Sequence, residues 1–102
     1  MPVEPLVSRF RDDLDFRELL EEFVAATPER TQAFTAAFAA GQLDEVRRQA
    51  HQLKGSGGGY GYDRLSEVAA ELEHACKEPQ PQIDTVAELL DRVLDHLQRV
   101  VV

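Results

Sequence analysis

The stretch GQLDEVRRQAHQLKGSGGGYGY, from Gly41 to Tyr62, decides the fold. Leu43, Val46, Ala50, Leu53 and Gly57 recur at i, i+3, i+7, i+10 and i+14. That is the spacing of one helical seam facing a bundle core. Asp44 and Glu45 stand in the first turn, where the helix dipole favours acids. His51 lies about 100° round from Ala50, so it sits beside the seam and mostly outside it. Lys54 at i+3 and Gly55 at i+4 share its face. Glycine costs roughly 1 kcal/mol against alanine inside a helix. At Gly55 that cost is offset by access, because a missing side chain lets another protein's surface reach the ring. The glycines with Tyr60 and Gly61 are expected to bring the chain round.

Helix punctuation continues on both sides. Asp15 and Glu18 form a D-x-x-E capping pattern, and Phe16, Leu19, Leu20, Phe23 and Val24 then share one face. Thr27-Pro28 reads as an N-cap and first-turn proline. A new helix starts there, or one long helix kinks. Phe34, Ala37 and Phe38 form its apolar face, and Gly41 closes it. Downstream, Leu65, Val68, Ala69, Leu72 and Cys76 point inward until Pro79 and Pro81 end that helix. Asp84 or Thr85 starts the last one, with a seam of Val86, Leu90, Val93, Leu97 and Val100. The pattern predicts an all-α fold. One domain over 1–102 would hold an antiparallel four-helix bundle over 28–100, with one or two extra helices in 1–26.

Composition narrows the function. The 102 residues carry a formal net charge of −8. Such a field repels nucleic acid and anionic membrane surfaces. One cysteine, Cys76, cannot build a disulfide framework or a zinc site by itself. MPVEPLVSRF lacks the basic start and apolar core of a signal peptide, and no run approaches the ~18 apolar residues of a membrane span. A cytoplasmic protein is expected, monomeric because each seam can be buried within the chain. The Walker pattern fails because Lys54 precedes the glycines, and G-x-G-x-x-G fails at Tyr60.

Neutral imidazole is a nucleophile near neutral pH and can carry a covalent intermediate. A phosphoryl group on His51 would bring close to two negative charges, which Lys54 could partly neutralise. The run His51-Gln-Leu-Lys54-Gly55-Ser56, then Gly61 and Asp63-Arg64-Leu65, resembles the signature of histidine phosphotransfer (HPt) domains. GQLDEVRRQAH before it, LSEVAAELE after it and ELLEEFVAATPERTQAF upstream are similar to the family's flanking helices. GYGY also resembles an element in the phosphoacceptor domain of chemotaxis histidine kinases.

The resemblance implies a phosphocarrier of a two-component phosphorelay, with no ATP-dependent kinase activity of its own. His51 would be the phosphoacceptor, taking the group from a receiver aspartate or a sensor kinase and passing it to another receiver. Lys54 would steady the phosphoryl group. Glu73 would accept from Nδ1–H and leave Nε2 as the nucleophile. Lys77 stands where some members keep a second basic group. Gly55, Ser56 and Gly58 would form the phosphate and docking neighbourhood. Docking would use an apolar rim around His51. No cofactor is implied here, since magnesium comes with the receiver. Gln42 departs from the Asp often found as helix cap. The extra glycine in GSGGGYG leaves open how far the helix runs past Gly55.

Structural alternatives stand beside these roles. Most surface histidines do nothing, and only the Lys54-Gly55-Ser56 neighbourhood lifts His51 above them. Lys54 can be a solvated lysine. Glu73 and Lys77, at i and i+4, can simply pair. Ser56 can bond back to its helix, and Gly55, Gly58 and Gly61 can be helix-ending residues, the reading preferred for Gly61. Cys76 reads as core, His96 as solvent-facing, and His74 as no ligand. Asp12-Asp13 and Glu21-Glu22 read as solvated pairs. Two further functions remain open: the phosphoacceptor domain of a larger kinase, and a docking module that binds a receiver without taking phosphate.

Overall fold

The computed structural model describes residues 4–102. Five helices follow one another: α1 (Arg17–Ala25), α2 (Thr27–Ala39), α3 (Leu43–Gly59), α4 (Asp63–Cys76) and α5 (Ile83–Arg99). α2 to α5 close a four-helix bundle, each packing on its two neighbours in the ring, while α1 leans on α2 as the extra N-terminal helix. Short connections make successive bundle helices antiparallel. The four predicted seams meet in the middle. Val46, Ala50, Leu53, Leu65, Ala69, Leu72, Val86 and Val93 are all fully buried.

Two turns of the bundle are built alike. Gly41 and Gly61 carry the positive φ values, 71° and 84°. Gln42 N–H donates to the Ala37 carbonyl (2.9 Å) and Gly41 N–H to Phe38 (3.0 Å). Tyr62 N–H donates to Gly57 (2.8 Å) and Gly61 N–H to Gly58 (3.1 Å). Each set satisfies the orphan carbonyls of a helix end, and only glycine enters this left-handed conformation without strain. Gln42 makes no side-chain cap. Its carbonyl instead receives the Glu45 and Val46 amides, both at 3.1 Å.

Several boundaries differ from expectation. The glycine run does not end α3, which continues through Gly59, and the turn falls on Tyr60-Gly61. Asp13, not Asp15, supplies the N-terminal cap. Its side chain accepts the Asp15 amide at 2.9 Å and starts a 3-10 turn over Leu14–Phe16 that leads into α1. Thr27 is a helical residue whose hydroxyl donates to the Val24 carbonyl (2.9 Å), so it caps nothing below it. Ala26 between α1 and α2 keeps right-handed helical angles, so the break comes from Pro28, which has no amide to donate. α5 starts at Ile83, just before Asp84. Of the α1 face, Leu19 is exposed.

Ahead of α1 the chain is extended. A two-residue strand, β1 (Leu6–Val7), pairs in parallel with β2 (Val100–Val101) after α5. Ser8 is buried beside it, donating to the Tyr60 carbonyl (2.5 Å) and accepting the Phe10 amide (3.0 Å). Arg9 N–H reaches the Gly61 carbonyl at 2.9 Å. Tyr62 is buried, stacks on Phe23 with centroids 5.1 Å apart, and donates its hydroxyl to the Val101 carbonyl at 2.8 Å. The α3–α4 turn is thus fastened to both ends of the described chain. No helix among the described residues is long and apolar enough to cross a membrane.

Candidate functional site

α3 and α4 run side by side, and the sequence brings them close. Gly57 packs against Leu65 and the Ser66 backbone, where a Cβ would meet atoms at 3.5 Å. At Gly58 a Cβ would come within 3.3 Å of the Ser66 hydroxyl. That hydroxyl donates to the Lys54 carbonyl at 2.7 Å. Twelve residues separate the two in sequence, so no local pattern foretells the bond.

Three of the predicted side chains converge on the fourth. Glu73 of α4 is buried, its side chain only 5% exposed. Its Oε2 lies 2.7 Å from His51 Nδ1 and 3.3 Å from Lys77 Nζ, and its Oε1 lies 2.8 Å from Lys54 Nζ. The His51 side chain is 64% exposed. Burial alone would raise the Glu73 pKa. The Lys54 ammonium outweighs it, aided by His51 and Lys77, and holds the carboxyl at about 2. Glu73 is therefore an anion at neutral pH and has no proton to give. The contact at 2.7 Å must use the Nδ1–H of His51. The ring proton is fixed on Nδ1, and the Nε2 lone pair is left for chemistry.

The remaining predicted residues are placed as follows. At Gly55 an added Cβ would meet nothing within 4 Å, so the surface beside His51 is open. Ser56 turns its hydroxyl back to the Gln52 carbonyl (3.0 Å). Gly58 packs on α4 as described. Among the described residues the large exposed apolar side chains are Val7, Leu14, Leu19, Ile83, Val101 and Val102. None belongs to α3 or α4, whose Leu43 and Val68 are partly buried. His96 is not solvent-facing: its side chain is 16% exposed and its Nδ1 donates to the Arg92 carbonyl at 2.7 Å. Cys76 is a core thiol, and burial pushes it up in pKa. His74 is exposed, 3.8 Å from Glu78. It borders a mainly apolar groove between α4 and α5, lined by Ala70, Ala75 and Leu89, that does not include His51.

Residues 18–101 match the family model described as "Hpt domain". The chain belongs to the Hpt domain family. Comparison with curated proteins and with solved structures found no match. Hpt domains are helical bundles that carry phosphoryl groups in two-component signalling and interact there with receiver domains and kinases. The matched span of this Hpt domain takes in α1 from its second residue, the whole of α2 to α5, and the His51–Glu73 pair.

Proposed function

We propose that this Hpt domain is a phosphocarrier whose phosphoacceptor is Nε2 of His51. The observation that carries the reading is the 2.7 Å contact between Nδ1 of an exposed imidazole and a buried, ionised Glu73. The Nε2 lone pair attacks the phosphorus of a receiver's aspartyl phosphate. The N–P bond forms as the acyl P–O bond breaks, and the aspartate carboxylate departs on the receiver. The proton stays on Nδ1. The ring then carries positive charge, which the Glu73 carboxylate stabilises. Passing the group to a second receiver is the same step reversed.

Lys54 and Lys77 neutralise Glu73 at rest and lie close enough to temper the charge of the incoming group. Magnesium and most transition-state stabilisation would belong to the receiver's site. Open space over Gly55 supports access by a folded partner. The source of phosphate is a receiver or a sensor kinase of the same relay, and the place of action is the cytoplasm, with the domain working as a monomer.

Incubation with a radiolabelled phospho-receiver tests this. Acid-labile, alkali-stable label is expected on the protein, and His51→Gln abolishes it while the circular dichroism is unchanged. Label that persists in His51→Gln refutes the assignment.

A further inference from the structure

Near its C-terminal end α3 offers α4 no side chain to lock against. Gly57 and Gly58 present bare backbone there, under Leu65 and Ser66. Ridges of side chains fix one helix against sliding along another, and on the α3 side a glycine pair supplies none. A directional bond stands at this point instead. Ser66 Oγ donates to the Lys54 carbonyl at 2.7 Å. A carbonyl has two lone pairs. Helical geometry gives one to the Gly58 amide, and Ser66 takes the other. Gly58 makes the room, since a Cβ there would lie 3.3 Å from the same hydroxyl.

This bond shares a residue with the site. Among the described residues, polar side-chain contacts join α3 and α4 at two levels. One is Ser66 on the Lys54 carbonyl. The other is Glu73, 2.8 Å from Lys54 Nζ and 2.7 Å from His51 Nδ1. Ser66 and Glu73 both belong to α4, on one face and two turns apart, about 10.5 Å along the axis. α4 thus holds Lys54 by its backbone at one level and by its side chain at the other.

The imidazole has little else to hold it. Its side chain is 64% exposed, and among the described residues it bonds to Glu73 alone. A reacting group has to be held within roughly 0.5 Å of its working position by the residues behind it. A slide of α4 by that much would stretch the 2.7 Å contact beyond the range of a charge-assisted bond. We propose, resting on the phosphoacceptor reading of His51, that Ser66 is a positioning residue for the transfer. Its bond to the Lys54 carbonyl sets the axial register of α4 on α3. That register keeps Glu73 Oε2 against Nδ1–H, and so keeps the lone pair on Nε2.

The test reads the ring nitrogens of the full chain by 15N NMR at alkaline pH, where imidazole is neutral. The His51 resonances are those lost in His51→Gln. In wild type the proton is expected on Nδ1. In Ser66→Ala the ratio of Nδ1–H to Nε2–H ring should fall about threefold, within the factor that one hydrogen bond supplies. Ser66→Thr keeps the hydroxyl and should restore the ratio. Thr35→Ala removes a hydroxyl bonded to the Thr31 carbonyl within α2 and should leave it alone. A merely structural role for Ser66 would lower the melting temperature of Ser66→Ala and leave the ratio at its wild-type value. That result overturns the proposal while His51 stays the acceptor. A wild-type ring protonated on Nε2 overturns the Nε2 acceptor reading and this proposal with it.

Discussion

Replacing Glu73 by glutamine keeps the volume of the side chain and removes its charge. The carboxyl is held at about 2 against an ordinary 4.5. At about 1.4 kcal/mol per pH unit, that drop corresponds to about 3 kcal/mol favouring the ionised form in the folded chain. The three donors are 64%, 38% and 54% exposed, so water screens the interaction and takes over part of it on substitution. About 2 kcal/mol is the expected loss for Glu73→Gln at pH 7. With a urea slope on the order of 1–1.5 kcal/mol/M for a chain of this size, the midpoint falls by roughly 1.5 M at unchanged slope.

Acid supplies the second half of the test. A carboxyl whose folded pKa is depressed stabilises the fold above its unfolded value, and the contribution is lost as pH falls through the folded one. Wild type should therefore keep its advantage over Glu73→Gln down to about pH 4.5 and lose it between there and about 2. Below that, both chains carry a neutral group at position 73. Urea melts at pH 7, 5, 3.5 and 2.5 follow the gap. A gap that stays constant through this window, or that is missing at pH 7, refutes an ionised Glu73 held by its three donors.

Helical and turn glycines predict opposite outcomes. Gly55→Ala and Gly59→Ala add a Cβ that meets nothing within 4 Å, so each should gain a few tenths to about 1 kcal/mol in thermal or urea melts. Gly55→Ala should also slow transfer from a phospho-receiver more than labelling by phosphoramidate, because only the receiver needs the open surface. Gly61→Ala, at φ +84° with a Cβ 2.6 Å from the Ser8 hydroxyl and 3.0 Å from the Arg9 amide nitrogen, should lose about 2 kcal/mol or more in the same melts.

Features set by short-range spacing were legible in the chain. The seams of α3, α4 and α5 are buried as the 3.6-residue period requires, except that Leu43 and Val68 are only partly covered. Gly41 ends α2 because a left-handed residue is needed there. His51, Lys54, Glu73 and Lys77 meet because two helices of readable phase pack together. Features that depend on long-range partners were not. Ser8 looks like a surface serine until the Tyr60 carbonyl, 52 residues away, takes its hydroxyl. The pairing of Leu6–Val7 with Val100–Val101 has no periodicity to announce it, since two residues are too few to alternate. Asp13 and Asp15 compete for one cap, and only the path of the chain from Ser8 to Phe16 selects Asp13. His96 folds back on the carbonyl four residues earlier, a choice of rotamer that helical phase does not fix.

The six glycines show how composition misleads when each residue is taken for its average effect. Glycine disfavours helix, yet Gly55, Gly57, Gly58 and Gly59 are all helical. α3 tolerates them because its stability comes from packing: Val46, Ala50 and Leu53 are fully buried, and burial of such side chains is worth about 1.5–3 kcal/mol for a valine or leucine. Within that allowance the glycines divide by what surrounds them. Gly57 and Gly58 lie against Leu65 and Ser66 of α4, the helix that carries Glu73 to His51 and Lys54. Gly55 leaves the outer face bare, and Gly61 turns the chain toward α4. A helix of ordinary composition would be more stable at α3 by itself. It would also crowd the Ser66 hydroxyl at Gly58, where even a Cβ comes within 3.3 Å, and cover the open face that Gly55 leaves beside His51.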